Sequence, residues 1–274
     1  MKIRVLLLSL LPMLAFLAYS SPVKSNEAAK GIAFADDGSA IPSAADYIQD
    51  GLILMYDGIE NAGWGVHDPE ATTWTELVGL PFIACDLPMR DHTILENGIL
   101  CESKLPMVKR PADPYAFMVE ISEGYTMQLA ARFPEDGVSG DLAGINASGF
   151  EFTSRVDSYG QLFLFYTCSP KIQRGVREVP LSTTFTIVGD AVAKYTKFLY
   201  DETIFWNVQS FSIFNDDGRF YPAIGINSGG RVSDTYGTGA GGGVIYHNFR
   251  IYNRALTQAE IEYNNQIDKE RFGL

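Results

Sequence analysis

The periodicity of the chain changes near its C-terminus, and this change restricts the fold more than any other feature. In Val244–Tyr252 alternate residues fall on opposite faces. One face carries Ile245, Phe249 and Ile251 with His247 between them, and polar or aromatic residues fill the other. A period of two predicts a half-buried strand.

A helix is predicted immediately after that strand. Thr257 followed by Glu260 forms a capping box, in which each side chain satisfies a backbone N–H left open at a helix start. Ile261 and Ile267 lie near one stripe of this helix, and Phe272 is expected to anchor its end. A strand closed by one short terminal helix favours a β-sandwich.

The rest of the chain agrees with an all-β architecture. From Tyr47 onward, about a dozen short strand-like runs are separated by Gly, Asp, Asn and Pro, and residues 157–160 (DSYG) and 216–218 (DDG) are hairpin signals. The alternation of helices and strands typical of a parallel sheet is missing. We therefore predict one domain over residues 47–274, an antiparallel two-sheet sandwich with a short C-terminal helix.

The N-terminus has the pattern of a processing segment. Lys2 and Arg4 precede an apolar run over residues 5–18, and Ala18-Tyr19-Ser20 fits a cleavage site. The run is short for a transmembrane helix and contains Pro12. This predicts a signal peptide over residues 1–20, a flexible linker over residues 21–46, a secreted or cell-surface location, and no membrane span in the mature chain.

The charge of the chain argues against two classes of partner. Formal net charge is −12, with 21 basic and 33 acidic residues. Removal of Lys2 and Arg4 with the signal peptide leaves 19 basic residues and a charge of −14. An acidic surface repels phosphates, so nucleic acid and anionic lipid are not expected as partners.

Three cysteines exclude a framework of paired disulfides. Because the number is odd, at least one of Cys85, Cys101 and Cys168 is a free thiol or pairs with another chain. Cys85 and Cys101 are 16 residues apart, so either they form a bridge between paired strands or all three are half-buried thiols.

Two segments carry a resemblance to a known family. RIYNRALTQAEI (residues 250–261) resembles the closing strand and helix of bacterial laminin G-like domains, in the concanavalin A-like lectin/glucanase superfamily. DGLILMYDGIENAG (residues 50–63) and TTWTELVG (residues 72–79) resemble the opening strand of that family and its W-x-[DE]-L-x-G segment. The resemblance implies a jelly-roll fold, which by itself does not fix a function.

Catalytic motifs are missing from the sequence. The E-x-D-x-x-E strand of the glucanases that the superfamily contains does not occur, and neither does G-x-S-x-G or H-E-x-x-H. Residues 237–242 match G-x-G-x-x-G, but a strand follows them where a dinucleotide site needs a helix. His247 is expected to be a buried, hydrogen-bonded residue instead of a catalytic base. We predict that the protein is not an enzyme.

The resemblance leaves two kinds of site open. Laminin G-like domains often hold Ca²⁺, and Asp57 and Asn61, with Glu60, are the candidate ligands here. In the alternative, Asp57 only ends a strand.

The other kind of site binds sugar through an exposed aromatic side chain. Trp64 and Tyr236 are the candidates in loops, Trp74 is assigned to the core, and Trp206 is expected to be half-buried. Trp64 either contacts a ligand or folds back onto the sandwich. The leading prediction is a non-catalytic carbohydrate-binding module, and the alternatives are a protein-binding adhesin or structural surface module and, third, a glycoside hydrolase.

Overall fold

The computed structural model describes residues 41–79, 86–89, 92–101, 107–108, 124–135, 140–146, 150–156, 162–168, 172–177, 180–208, 221–224 and 243–274. These residues form one 3₁₀ turn, Ala44–Asp46, one α-helix, α1, Gln258–Phe272, and sixteen strands. The strands, in chain order, are β1 Leu52–Asp57, β2 Thr73–Trp74, β3 Leu87–Pro88, β4 His92–Leu95, β5 Gly98–Cys101, β6 Met107–Val108, β7 Gly124–Arg132, β8 Gly140–Asn146, β9 Phe150–Val156, β10 Leu162–Cys168, β11 Ile172–Arg177, β12 Ser182–Asp190, β13 Tyr195–Tyr200, β14 Thr203–Val208, β15 Tyr221–Ile224 and β16 Val244–Tyr252.

The strands form two large antiparallel sheets. The eight-stranded sheet runs β14-β13-β12-β7-β16-β5-β4, with β1 also paired to β16. The six-stranded sheet runs β11-β10-β9-β8-β15-β6, and β2 pairs with β3 alone. Every pairing is antiparallel. The predicted all-β jelly-roll sandwich with a C-terminal helix is confirmed.

Strand β16 organises the larger sheet. Along one side it pairs with β7, and along the other it pairs first with β5 and then with β1. The register against β7 shifts between Tyr246 and Asn248, so His247 is the extra residue of a β-bulge. The two partner strands meet at this point, where a Cβ on Gly58 would lie 2.6 Å from the Cα of Gly98. Glycine at both positions allows this close approach.

One face of the larger sheet is apolar, the opposite face mixes polar with apolar side chains, and both faces are buried. The registers place one apolar set on a single face: Leu54, Tyr56, Met127, Leu129, Phe185, Ile187, Phe198, Phe249 and Ile251. The opposite face carries Thr126, Gln128, Thr184, Thr186, Asn248 and Arg250, all at most 1% exposed. The prediction that β16 is half-buried is therefore wrong, because residues of α1 contact its polar face.

The helix begins and ends as its sequence predicts. Thr257 is the N-cap, and its hydroxyl accepts a hydrogen bond from the backbone N–H of Glu260 while the Glu260 carboxylate accepts one from the N–H of Thr257. Gly273 ends the helix at φ +69°, a conformation that favours glycine. Ile261, Ile267 and Phe272 are buried as predicted.

The packed region starts before the predicted boundary at residue 47. Within residues 41–46, at the end of the predicted linker, Ala44 is fully buried, and Ser43 and Asp46 form a capping box around the 3₁₀ turn. Residues 1–40, with the predicted signal peptide, lie outside the described residues. In the part of the chain that is described, no helix is both long enough and apolar enough to cross a membrane.

Candidate ligand-binding loop

The loop that follows β1, residues 58–72, presents two apolar side chains to solvent. Trp64 is 44% exposed and Val66 is 48% exposed. Gly63 and Gly65, on either side of Trp64, have φ values of +135° and +69°. Non-glycine residues rarely adopt these conformations, so the two glycines allow the backbone to turn around Trp64 and hold it outward. We refer to residues 58–72 as the Trp64 loop.

Hydrogen bonds within the Trp64 loop fix its shape. The side-chain amide of Asn61 donates to the carbonyl of Asp68 at 2.8 Å, and its oxygen accepts from the N–H of Asp68 at 2.8 Å. The N–H of Val66 donates to the carbonyl of Gly63 at 2.9 Å. These bonds close the loop into a turn that carries Trp64.

Glu60 connects the loop to the rest of the domain. It is 6% exposed, and one carboxylate oxygen accepts the N–H of Gly65 at 2.7 Å. The other oxygen accepts the N–H of Ala44 at 2.6 Å and lies 3.4 Å from the guanidinium of Arg271. The position of the residue next to Trp64 therefore depends on a buried carboxylate held by the N-terminal turn and by α1.

Asp57 fixes the base of the loop. Its carboxylate accepts hydrogen bonds from the N–H groups of Ile59 and Glu60 at 2.9 Å and from the Asn248 side chain at 2.9 Å. Arg271 pairs with it at 2.7 Å, and this guanidinium also donates to the Pro42 carbonyl. Hydrogen bonds to charged groups are stronger than neutral ones, so the start of the loop is firmly attached.

The two predicted calcium ligands lie in this arrangement. Asp57 and Asn61 are both buried, and the oxygens of their side chains accept the hydrogen bonds just given. Among the described residues there is no group of three or more His, Cys, Asp or Glu side chains arranged to hold a metal ion. Calcium binding stays a prediction, and the contacts of these two residues stabilise the loop.

Of the two other tryptophans and Tyr236, only Trp74 has a described side chain. Trp74 is fully buried and donates from its ring N–H to the carbonyl of Asp57 at 2.8 Å, which confirms its assignment to the core. Tyr236 and the side chain of Trp206 lie outside the described residues, as does Cys85. Cys101 is buried on β5, and a bridge between Cys85 and Cys101 stays a prediction.

His247 is a structural residue, as predicted. It is 1% exposed, its Nδ1 is 2.6 Å from the carbonyl oxygen of Asn97, and its ring stacks on Phe272 with centroids 5.1 Å apart. Burial lowers the pKa of His247, and the hydrogen bond to the Asn97 carbonyl opposes this shift. The neutral imidazole therefore connects the bulge of β16 to the end of α1.

Sequence reasoning missed the buried polar cluster beneath α1. Arg250 and Asp268 form a two-point ion pair with both N–O distances at 2.7 Å and no exposure. Tyr47 and Thr184 also donate hydroxyl hydrogen bonds to Asp268, at 2.7 and 2.8 Å. Burial, and then the negative charge of Asp268, raise the pKa of Tyr47 well above its usual value. This cluster stabilises the packing of the helix.

The segments that carry the family resemblance are also structural. Glu76, of the W-x-E-L-x-G segment, accepts the N–H groups of Met55, Val78 and Gly79 at 2.8–3.0 Å. In the closing segment, Arg254 forms a two-point ion pair with Glu260. Glu76 and Arg254 therefore bond to other parts of the domain and stabilise the fold.

Comparison with known proteins gives structural neighbours only. No protein-family profile and no curated protein matches the sequence. Trypanosoma rangeli sialidase in complex with sialic acid is 17% identical with a TM-score of 0.51, and the match covers 85% of this chain and 34% of that one. The CBM40 domain of Ruminococcus gnavus IT-sialidase is 15% identical with a TM-score of 0.43, over 62% of this chain and 96% of that one. A heptameric SAP-like pentraxin from Limulus polyphemus is 11% identical with a TM-score of 0.41, over 52% and 69%.

The likeness to the sialidase supports the fold and nothing finer. The chain has a jelly-roll sandwich fold and spans about a third of the length of the sialidase that it matches. The laminin G-like assignment made from the sequence is not confirmed and stays a prediction.

Proposed function

We propose that this protein is a secreted, non-catalytic carbohydrate-binding module of the laminin G-like type, and that Trp64 contacts the sugar. One observation carries the proposal: a half-exposed indole stands on a loop fixed by a buried carboxylate. An apolar ring left in water has a free-energy cost, which a bound partner removes. The C–H groups on a pyranose face provide a flat apolar surface of matching size.

The anchoring of the loop favours binding over mere exposure. Ordering a mobile loop on association costs free energy, and a loop that is already ordered avoids this cost. The bonds from Glu60 and Asn61 hold the Trp64 loop in one arrangement before a ligand arrives. A single ordered aromatic side chain supports weak binding by one module.

The environment of the buried acids supports the non-catalytic part of the proposal. Glycoside hydrolysis by the usual route needs two carboxyl groups on either side of the scissile bond, in an open cleft. Among the described residues, Asp57, Glu60, Glu76 and Asp268 are buried, and each accepts hydrogen bonds from backbone N–H groups or arginine. Their bonds within the domain account for these four carboxylates without a catalytic role.

The proposal is tested by replacing Trp64 with alanine in the mature chain. We expect affinity for the glycans that the parent binds on an array to fall at least tenfold, while the thermal midpoint moves little because the side chain is half-exposed. Ile204→Ala is the matched control, since Ile204 is 45% exposed on β14 and should affect neither property. Unchanged glycan affinity in a folded Trp64→Ala protein would remove Trp64 from the site.

Protein binding is the second candidate function, and Val66 favours it. Val66 is as exposed as Trp64 and two residues away, and a Trp–Val pair is apolar enough to anchor a protein partner. Val66→Ala separates the two functions. A sugar stacked on the indole should keep most of its affinity in this variant, whereas a protein partner that buries both side chains should lose affinity in both variants.

A further inference from the structure

The segment that contains the Trp64 loop has acidic side chains and no basic ones. Residues 51–89 include Asp57, Glu60, Asp68, Glu70, Glu76 and Asp86. The same stretch has neither lysine nor arginine. Glu70 is exposed and follows Trp64 by six residues in the same loop. The local charge therefore has the same sign as the strongly negative whole chain.

Among the described residues, Arg250, Arg254 and Arg271 are already paired with carboxylates and leave no free cation for the loop surface. Arg271 contacts the base of the loop, but it is buried and paired with both Asp57 and Glu60. Arg250 is paired with Asp268, and Arg254 is paired with Glu260 and Asp50. These three guanidinium groups are already used by carboxylates of the domain.

Recognition of an anionic sugar normally needs an available cation. A carboxylate is bound best by the forked donors of arginine, in a two-point hydrogen-bonded pair. The Trp64 loop instead offers an apolar ring in the same loop as acidic side chains, and the negative charges of these side chains repel an anionic ligand. An unpaired anion bound there would lose hydration without gaining a partner.

We infer that the Trp64 loop takes an uncharged saccharide and discriminates against sialylated and other acidic glycans. This inference rests on the proposed carbohydrate-binding function and assigns its ligand class. It would distinguish this chain from the Trypanosoma rangeli sialidase, whose structure is a complex with sialic acid.

The experiment compares matched pairs of glycans on the mature chain. Each neutral glycan is presented beside its sialylated derivative, and affinities are measured at low salt and at high salt. One acidic side chain about 10 Å from a bound carboxylate should weaken binding about twofold at low salt, by Coulomb's law in water. We expect neutral members to bind more tightly than their sialylated partners, with a difference that shrinks at high salt and with binding that is lost in Trp64→Ala.

A charge-reversal variant tests the cause. Glu70→Lys should improve binding of the sialylated members about two- to fourfold at low salt and leave the neutral members nearly unchanged. Glu262→Lys, on α1, makes the same charge change outside the loop and is the control. An equal gain in both variants would contradict a local effect of the loop and would overturn the inference.

The remaining outcomes separate this inference from the proposed function. If sialylated members bind as tightly as neutral ones or more tightly, and Trp64→Ala abolishes this binding, then the inference is wrong and the proposed function stands. If neutral and sialylated glycans all fail to bind, or if glycan affinity is the same in Trp64→Ala as in the parent, then the proposed site is wrong and so is the inference.

Discussion

At the residue scale, several buried contacts converge on Asp268 of α1. It accepts two donors from Arg250, one from Tyr47 and one from Thr184. The guanidinium of Arg250 also lies 4.0 Å above the ring of Tyr47. Removal of one member of a buried ion pair leaves the other charged and unpaired.

Asp268→Asn should therefore destabilise the domain strongly. The variant leaves Arg250 buried without a counter-charge, and we expect a loss of about 3–5 kcal/mol in the free energy of unfolding. Urea denaturation measures this change. Glu202→Gln is the control because it removes an exposed pair with Lys269 on the same helix, worth about 0–1 kcal/mol. Equal losses in the two variants would contradict a special role for Asp268.

His247 should make stability depend on pH. Its folded-state pKa is lowered by burial, so the charged form is disfavoured in the folded protein relative to the unfolded chain, where the pKa is about 6.5. The stabilising contribution of neutral His247 is thus complete above that value and is lost as the pH falls below it. Arg132 opposes protonation and Asp268 favours it.

Thermal melts between pH 7.5 and pH 5 test this expectation. The parent should lose stability on acidification more steeply than His247→Gln, which cannot titrate there. A parent and a His247→Gln variant with the same pH dependence would show that protonation of this ring is not coupled to unfolding.

At the element scale, the Trp64 loop depends on a contact with the N-terminal turn and α1. Glu60 links these three parts through the N–H groups of Gly65 and Ala44 and through Arg271. A glutamine at this position has one acceptor oxygen where the carboxylate has two, so it cannot serve both N–H groups equally. Glu60→Gln should make the loop more mobile without removing the Trp64 side chain.

Hydrogen exchange measures that release. We expect faster exchange of the Gly65 amide in Glu60→Gln, together with a severalfold loss of glycan affinity because the loop must then be ordered on binding. Glu70→Gln changes an exposed acid of the same loop and should leave Gly65 exchange at the parent rate. If Gly65 exchanges equally in both variants, Glu60 does not hold the loop.

At the scale of the whole molecule, local sequence signals predicted the elements they encode. The capping box at Thr257 and Glu260 predicted where α1 begins, and alternation predicted the bounds of β16. The predicted faces of β16 were wrong in one respect, because the bulge at His247 puts Ile245 on the face opposite to Phe249 and Ile251. Some elements were missed because their signals are weak. Strand β8 (GDLAGIN) has two glycines and no alternation, and only the two-residue turn at Glu96 and Asn97 separates the short strands β4 and β5.

Contacts between residues far apart in the chain could not be predicted from the sequence. Arg271 and Asp57 are 214 residues apart, and no local pattern links them. The polar face of β16 has the composition of a solvent-exposed face, and only the packing of α1 against it shows that it is buried. For the candidate site, the sequence predicted that Trp64 lies in a loop and left its exposure open, whereas the anchoring by Glu60 required the structure.

The most direct test of the account follows the indole N–H signals of the parent protein by NMR. The chain has three tryptophans, Trp64, Trp74 and Trp206, which can be assigned by substitution. On titration with a neutral glycan that the protein binds, the Trp64 signal should move in a saturable way while the Trp74 signal stays fixed in the core. A saturable glycan titration that moves another indole signal and leaves Trp64 unmoved would contradict the account.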